Sequence, residues 1–367
     1  MDGEKINVAI LFGGRSAEHE VSLQSAKNIF DAIDKEKFNS ILIGIDKSGK
    51  WLLNDSAKFL LNADNPKLIK LNQDGESVAL IPANNGEITN LDNDSAGQKI
   101  DVVFPILHGP FGEDGTVQGL LKLANLPFVG PSVLGSAVGM DKDVMKRLLR
   151  DAGLPIGKFI AIKSSDQTPD FAEIESKLGL PFFVKPANMG SSVGIAKVHN
   201  ESEYSAAVKD AFNYDVKIII EENIAGREIE CAVLGNSDPQ ASIPGEIKPT
   251  HEFYSYEAKY IDENGAVAEI PAKISEEATK KIQELAVKTF QVLECEGCSR
   301  VDFFLRENGD VVVNEINTIP GFTKISMYPK LWEASGISYT ELITKLIELA
   351  IERFGEEQKL QTSYIGK

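Results

Sequence analysis

The sequence predicts a mixed α/β protein of two or three domains, and three stretches carry that reading. A buried apolar run, Ile6 to Phe12, ends in Gly13-Gly14 and leads into helical spacing. Between 157 and 221, strand and helix patterns alternate in the order of a split β-α-β unit. Near the C-terminus two apolar runs flank Asn308-Gly309, the strongest short hairpin signal a sequence carries. At 367 residues and 43% hydrophobic content the chain can bury more than one core.

Charge and cysteine usage narrow the class. A formal net charge of -17 argues against nucleic acid or an anionic membrane as partner, because both demand a basic surface. A local basic pocket for phosphates stays open. The cysteines are Cys231, Cys295 and Cys298, an odd number, and the N-terminus runs straight into an apolar stretch too short to span a membrane. A reduced, cytoplasmic protein is expected. Cys295-Glu296-Gly297-Cys298 has redox or zinc spacing but no second pair, so buried or incidental thiols are the expectation.

In chain order, the first strand and glycine turn precede a helix with Leu23, Ala26, Phe30 and Ile33 at helical spacing. Ile41 to Ile45 and Val102 to Leu107 supply further buried strands, which implies an open, mainly parallel sheet. The stretch from 46 to 100 is polar and weakly patterned, with no assignable site. Gly13-Gly14 lacks dinucleotide glycine spacing, and Glu18 and Glu20 stand where a pyrophosphate would sit. Acids at a helix start suit an ammonium ligand, or merely the helix dipole. His108-Gly109 follows the third strand at the carboxyl end, where open sheets bind ligands; His108 is either a ligand contact or a loop residue satisfied by backbone. Thr116 is expected to cap the next helix, which carries Val117, Leu120, Leu121 and Ala124 inside.

From Lys142 a helix places Val144, Met145, Leu148, Leu149 and Ala152 on one side and stops at Gly153 and Pro155. Strands at 157–162, 181–186, 193–198 and 217–221 and helices near 170–178 and 201–212 follow. Lys185 to Gly194 joins two of those strands, and its glycines, Ser191 and Ser192 could cradle an anion; a plain hairpin tip is the competing reading. Glu221, Glu222 and Glu228 lie at a strand end that either reads a nucleoside or is simply solvated. The weakly patterned stretch 250–265 has the length of a functional loop. The helix from Ser275 buries Ile282, Leu285, Ala286, Phe290 and Leu293, and Ser338-x-x-Glu341 is a capping box for the last helix.

If Asn308 and Gly309 are the two central turn residues, the hairpin pairs Leu305 with Val312, Asp302 with Glu315 and Arg300 with Asn317. Val301, Phe303, Leu305, Val312 and Ile316 then share an apolar face, with Asn314 its one discordant member. Opposed carboxylates repel. Either a hard cation sits between Asp302 and Glu315, with Asn317 as a third oxygen ligand, or the face is solvated and screened by Arg300.

The order of these motifs resembles that of the ATP-grasp ligases, and among them the D-alanine-D-alanine ligases, over nearly the whole chain. Its carriers are Glu18-His19-Glu20-Val21-Ser22, His108-Gly109 with Gly112-Glu113-Asp114-Gly115, Met140-Asp141-Lys142, Lys185-Pro186 with Gly190-Ser191-Ser192-Val193-Gly194, Glu257-Ala258-Lys259-Tyr260, Arg300-Val301-Asp302, and Asn314-Glu315-Ile316-Asn317-Thr318 with Pro320-Gly321. The resemblance implies an ATP-grasp fold, with an N-terminal substrate domain over 1–130, a central nucleotide subdomain over 131–221 and a C-terminal catalytic subdomain over 222–367. It implies ATP-dependent joining of two D-alanines through an acyl phosphate, with another carboxylate-amine or depsipeptide ligase (D-lactate or D-serine as second substrate) as the alternative.

The resemblance further implies two Mg2+ ions, or Mn2+, on Asp302, Glu315 and Asn317. Lys142, Lys185, Ser191, Ser192, Glu221, Glu222, Asn223, Ile224, Glu228 and Asn314 would hold ATP. Glu18, Ser191 and Tyr260 would form one hydrogen-bonded set around the first D-alanine, with His108 beside the carboxylates. Arg300 and the Gly321 amide would stabilise developing charge, and Ser326 and Lys259 would place the second substrate and the transferred phosphoryl group. A homodimer is also implied.

Overall fold

The computed structural model describes residues 4–82, 86–93, 96–249 and 266–361. Its first part comprises β1 (Ile6–Gly13), α1 (His19–Ala32), β2 (Phe38–Ile45), β3 (Trp51–Asn54), β4 (Leu60–Leu61), β5 (Lys70–Leu71), β6 (Glu76–Leu80), β7 (Glu87–Asn90), β8 (Ala96–Lys99), β9 (Val102–Ile106) and α2 (Thr116–Leu123). Seven strands form one sheet in the order β8-β7-β6-β3-β2-β1-β9. Only β2, β1 and β9 run parallel, and their apolar side chains are buried on both faces, as a sheet covered on both sides requires. The stretch 46–100, unpatterned in sequence, extends the sheet with short antiparallel strands. Two to five residues per strand are too few for a clear period.

Alternation along β1 sends Val8, Ile10 and Phe12 to one core and Ala9 and Leu11 to another, the latter covered by Val117 and Leu121 of α2. Gly115, with φ +90°, is the N-cap of α2, and Thr116 is its first helical residue. The expected Thr116 cap is therefore replaced by Asp114, whose Oδ1 accepts from the Thr116 amide at 3.0 Å.

The middle of the chain contains α3 (Val133–Met140), α4 (Lys142–Asp151), β10 (Phe159–Lys163), α5 (Phe171–Leu178), β11 (Phe182–Pro186), β12 (Ala196–Val198), α6 (Glu201–Ala211) and β13 (Lys217–Glu222). On α4, Met145 and Leu149 are fully buried, whereas Leu148 is exposed. The four strands form an antiparallel sheet, β10-β13-β11-β12, whose core with α5 and α6 is a cluster of its own. The last part adds β14 (Arg227–Gly235), β15 (Gln240–Ala241), β16 (Gly245–Pro249), β17 (Ala266–Glu269), α7 (Glu276–Val292), β18 (Gly297–Leu305), β19 (Val311–Asn317), α8 (Met327–Ala334) and α9 (Tyr339–Glu357). One face of the β14-β18-β19 sheet packs on α4 and α7. Residues of α8 and α9, Tyr328, Trp332, Leu342 and Leu346 among them, share a core with Val8, Ile10 and Phe104 of the N-terminal sheet. Arg353 of α9 clamps the two together, donating to the carbonyls of Gly130 at 2.6 Å and Phe128 at 2.8 Å. The expected capping box at α9 begins as read, with Ser338 Oγ accepting from the Glu341 amide at 3.3 Å.

The β18-β19 hairpin corrects the sequence reading in an instructive way. Arg300 does pair with Asn317 and Asp302 with Glu315, but beyond them the register shifts, so Phe303 faces Val313 and Leu305 faces Val311 rather than Val312. Asn314 is the extra residue of a β-bulge, which is why it is discordant with the apolar face. Val311 and Val313, not Val312, join the core with Phe303 and Leu305. The turn spans three residues: the Gly309 amide donates to Arg306 O at 3.0 Å, the Arg306 amide to Asp310 O at 2.8 Å, and of Asn308 and Gly309 only Gly309 has positive φ, at +85°. The longer turn and the bulge each move the register by one, and the two shifts cancel at the carboxylates.

This geometry makes Gly309 a strain point. Gly309→Ala should lower stability by about 1–2 kcal/mol through the left-handed backbone although nothing lies near its Cβ. Gly119→Ala, helical with open space at Cβ, should raise it by about 0.5–1 kcal/mol. Urea midpoints measured side by side check both signs.

Candidate active site

The parallel strands end where three loops meet. Glu18, at the N-cap of α1, is buried at 7% exposure, and its carboxylate accepts a short hydrogen bond from Ser191 Oγ of the loop after β11. Gly109, φ +74°, passes directly beside it; a Cβ there would lie 2.7 Å from Ser16 Oγ and 2.9 Å from Glu18 Oε2, so the close approach requires glycine. Glu113 accepts from the amides of Gly109 at 2.6 Å and Ile319 at 3.3 Å, tying the His108 loop to the segment after β19. Burial and the neighbouring Glu18 push its carboxyl up to about 8. His108 is 4% exposed, with Nε2 3.3 Å from Ser25 Oγ and a further bond to the Ile319 backbone; burial lowers it to about 4, so the ring is neutral near pH 7. Ser25 Oγ in turn accepts from the Phe322 amide at 3.2 Å. Lys259 and Tyr260 lie outside the described residues, so the expected Glu18-Ser191-Tyr260 set is seen here as its first two members.

A second cluster is cationic. Lys142 starts α4, donating its amide to Ala187 O at 3.0 Å and its ammonium to Met189 O at 2.7 Å, with Glu315 Oε2 3.7 Å away. Lys185 of β11 lies 2.6 Å from Glu221 Oε2, and Lys146 of α4 lies 2.6 Å from Glu221 Oε1. Burial alone would raise the Glu221 carboxyl; the two ammonium groups reverse this and hold it at about 2. The solvated reading of Glu221 is thereby overturned. Glu222 points to the opposite face of the strand, where its Oε1 accepts from the Lys158 amide at 2.8 Å. Asn223 is exposed, Ile224 lies against Gly157, and Glu228 contributes to the field that raises the Lys185 ammonium. In the loop itself Ser191, Ser192 and Gly194 all have positive φ, at 52°, 62° and 68°. Non-glycine residues held in the left-handed region are strained backbone of the kind that concentrates at ligand clamps.

The third cluster is acidic and spans three strands. Glu230 of β14 pairs with Asp302 of β18, which pairs with Glu315 of β19. Arg300 answers this charge, donating to Asp302 at 2.7 and 2.8 Å and standing 3.1 Å from Glu230. Beside it Asn317 Oδ1 is buried with no hydrogen-bond partner among the described residues. An orphaned amide oxygen next to two opposed carboxylates fits a hard divalent cation, which takes oxygen ligands. Asn314 presents its carbonyl to Lys146 Nζ at 3.2 Å. Gly321 and Ser326 are neighbours, and Ser326 Oγ accepts from the Thr323 amide at 3.0 Å. The three cysteines are buried free thiols, and burial pushes Cys231 and Cys298 up to about 12, as expected for inert groups.

Two family models match, described as D-ala D-ala ligase N-terminus over residues 7–131 and D-ala D-ala ligase C-terminus over 148–348. The chain is 58% identical to the D-alanine--D-alanine ligase of Oceanobacillus iheyensis, across 98% of this chain and 99% of that one. The chain belongs to the D-alanine-D-alanine ligase family. Its fold matches the solved D-alanine-D-alanine ligase of Coxiella burnetii, with a TM-score of 0.86, 41% identity and coverage of 97% of each chain. It also matches the VanG D-Ala:D-Ser ligase of Enterococcus faecalis, with a TM-score of 0.83, 39% identity and coverage of 95% of this chain and all of that one. Like its relatives this family member is a ligase with the ATP-grasp fold, and no helix among the described residues is long and apolar enough to cross a membrane.

Three residues of the site escaped the sequence reading of this ligase. Glu230 joins the acidic row only through the β14-β18 pairing, which no local pattern displays. Lys146 had a signal, since it stands one helical turn beyond Lys142 on the same face. Glu113 belonged to a quoted motif but showed no role until the fold buried it against Glu18.

The raised Glu113 carboxyl gives a pH test. Its ordinary value is 4.5, so between there and about 8 the folded chain holds a proton that the unfolded chain releases. The stability linked to that proton is complete below about pH 4.5 and is lost as pH rises toward 8. Glu113→Gln cannot ionise and should lose less stability across this window, read from urea midpoints at both ends. Identical losses in the two proteins would rule out the assignment.

Proposed function

We propose that the chain joins two D-alanines to D-alanyl-D-alanine in the cytoplasm, consuming ATP through an acyl phosphate and supplying peptidoglycan precursors. The observation that carries this is the run of contacts joining three regions: Ser191 donates to Glu18, and Met189 of the same loop is linked through Lys142 to Glu315 in the acidic row. The division near 130 and 221 assigns these to substrate, nucleotide and catalytic parts. A homodimer fits the resemblance.

Glu18, buried and aligned with the N-terminus of α1, is an acceptor for the ammonium of the first D-alanine. Its hydrogen bond from Ser191 links that substrate to the loop that covers the phosphates. Lys142 and Lys185 offset phosphate charge, and the left-handed loop presents amides to the same oxygens. The β13 end and Glu228 take adenosine. Asp302, Glu315 and Asn317 would hold two Mg2+ ions, which supply charge neutralisation at the transferring phosphoryl group. Arg300 and the Gly321 amide face the reacting oxygens and stabilise charge that develops there. Neutral His108 and the loop from 319 to 326 shape the carboxylate end, where Ser326 places the second D-alanine. Lys259 and Tyr260 complete the closure that keeps water from the acyl phosphate.

Phosphate release from ATP and Mg2+ should require D-alanine and yield its dipeptide, with products resolved by mass. A mixed product from added D-serine or D-lactate would instead place the chain with the alternative second substrates. Glu18→Gln should raise KM for D-alanine about 10- to 100-fold by weakening a charge-assisted contact, with KM for ATP nearly unchanged. Equal loss of both would count against the amine site. Chelation of divalent metal should abolish turnover and re-addition of Mg2+ restore it.

A further inference from the structure

We propose that Lys146 is a positioning residue that fixes both the phosphate-facing Lys185 and the strand segment carrying Glu315 and Asn317. It is a lysine at 2% exposure whose ammonium is engaged by acceptors from two different sheets. One is Glu221 Oε1 of β13 at 2.6 Å, and the other is the carbonyl of Asn314 in β19 at 3.2 Å. Glu221 passes the constraint on, because its second oxygen holds Lys185 at 2.6 Å.

The contact with Asn314 is the more telling of the two. Asn314 is the bulged residue, displaced from the β18-β19 pairing, so its carbonyl needs a donor from elsewhere. Lys146 provides that donor immediately before Glu315 and three residues before Asn317. Rotation of the bulged peptide would turn the Glu315 carboxylate out of line with Asp302. If Lys146 only balanced the charge of Glu221, the bulge carbonyl would have no part in it. The inference rests on the assignment of Asp302, Glu315 and Asn317 as cation ligands and adds the device that aims them.

The test uses Lys146→Met, which keeps the stem and removes the ammonium, and the double variant Lys146→Met with Glu221→Gln, which also removes the buried charge left behind. Mn2+ binding in the presence of a non-hydrolysable ATP analogue is read by electron paramagnetic resonance, alongside the Mg2+ and D-alanine dependence of turnover. Both variants should weaken Mn2+ and raise half-saturating Mg2+ about tenfold or more, the scale expected when a partner that orients a ligand is lost. KM for D-alanine should change less than about twofold, because Glu18 lies in a different cluster. Lys146→Arg should recover part of the metal affinity.

Unchanged Mn2+ binding in the folded double variant would overturn the inference, as would equal weakening of Mn2+ and D-alanine. Should Lys146→Met alone fail to fold, the double variant still decides. Glu315→Gln run in parallel separates the two levels. If it leaves Mn2+ binding intact, the ligand assignment falls and the inference with it; if it weakens binding while the Lys146 variants do not, only the inference falls.

Discussion

Glu230, Asp302 and Glu315 stand opposite one another on three adjacent strands, and such a row of carboxylates repels itself unless positive charge is brought to it. The fold answers from three directions. Arg300 arrives along β18 itself, Lys142 from the start of α4, and Lys185 from the neighbouring sheet, where the field of Glu315 contributes to raising its ammonium. None of these cations is adjacent to the row by chain order alone, apart from Arg300. The packing of α4 against the β14-β18-β19 sheet is therefore an electrostatic requirement as well as a hydrophobic one. Met145 and Leu149 supply the apolar contact on that helix, and Lys142 and Lys146 supply the charge.

What was legible in the sequence follows the range of the interactions. The Asp302-Glu315 opposition was readable from alternation within one hairpin, although by a turn of the wrong length that the Asn314 bulge compensated. The signal for that bulge was present as a polar residue on an apolar face. Glu230 was invisible because it enters through pairing with a strand some seventy residues later. The antiparallel extension built from 46–100 was equally hidden, since strands this short show no period and are held by their neighbours rather than by propensity. The burial of Glu221 is hidden for a related reason. Its two lysine partners come from different elements, so burial of the triad appears only when the sheet and α4 meet.

The pair Glu18 and Glu113 shows how two acids can be buried side by side. Glu18 and Glu113 are both buried, and ionising both would set two charges against each other. The raised Glu113 carboxyl relieves this repulsion, and Glu113 is held instead by the amides of Gly109 and Ile319. His108 stays neutral for a parallel reason, since burial disfavours its cation.

Core sharing divides these parts into two bodies. The N-terminal sheet and helices α8 and α9 bury one continuous core, so Glu18, His108 and the segment around Gly321 are held on one body. The sheet carrying Lys185 and the 190–194 loop has a core of its own. Among the described residues its contacts with the rest include polar pairs: Lys146 with Glu221, Lys217 with Asp141 and Asp143 at 2.7 and 3.0 Å, Lys142 with Met189 O, and Ser191 with Glu18. Polar contacts exchange for water at far lower cost than a shared apolar core, so the boundary of this sheet is cheaper to rearrange than the core joining the N-terminal sheet to α8 and α9. The hydrogen bond from Ser191 to Glu18 crosses that boundary, so the arrangement of the 190–194 loop and that of the α1 N-terminus depend on each other.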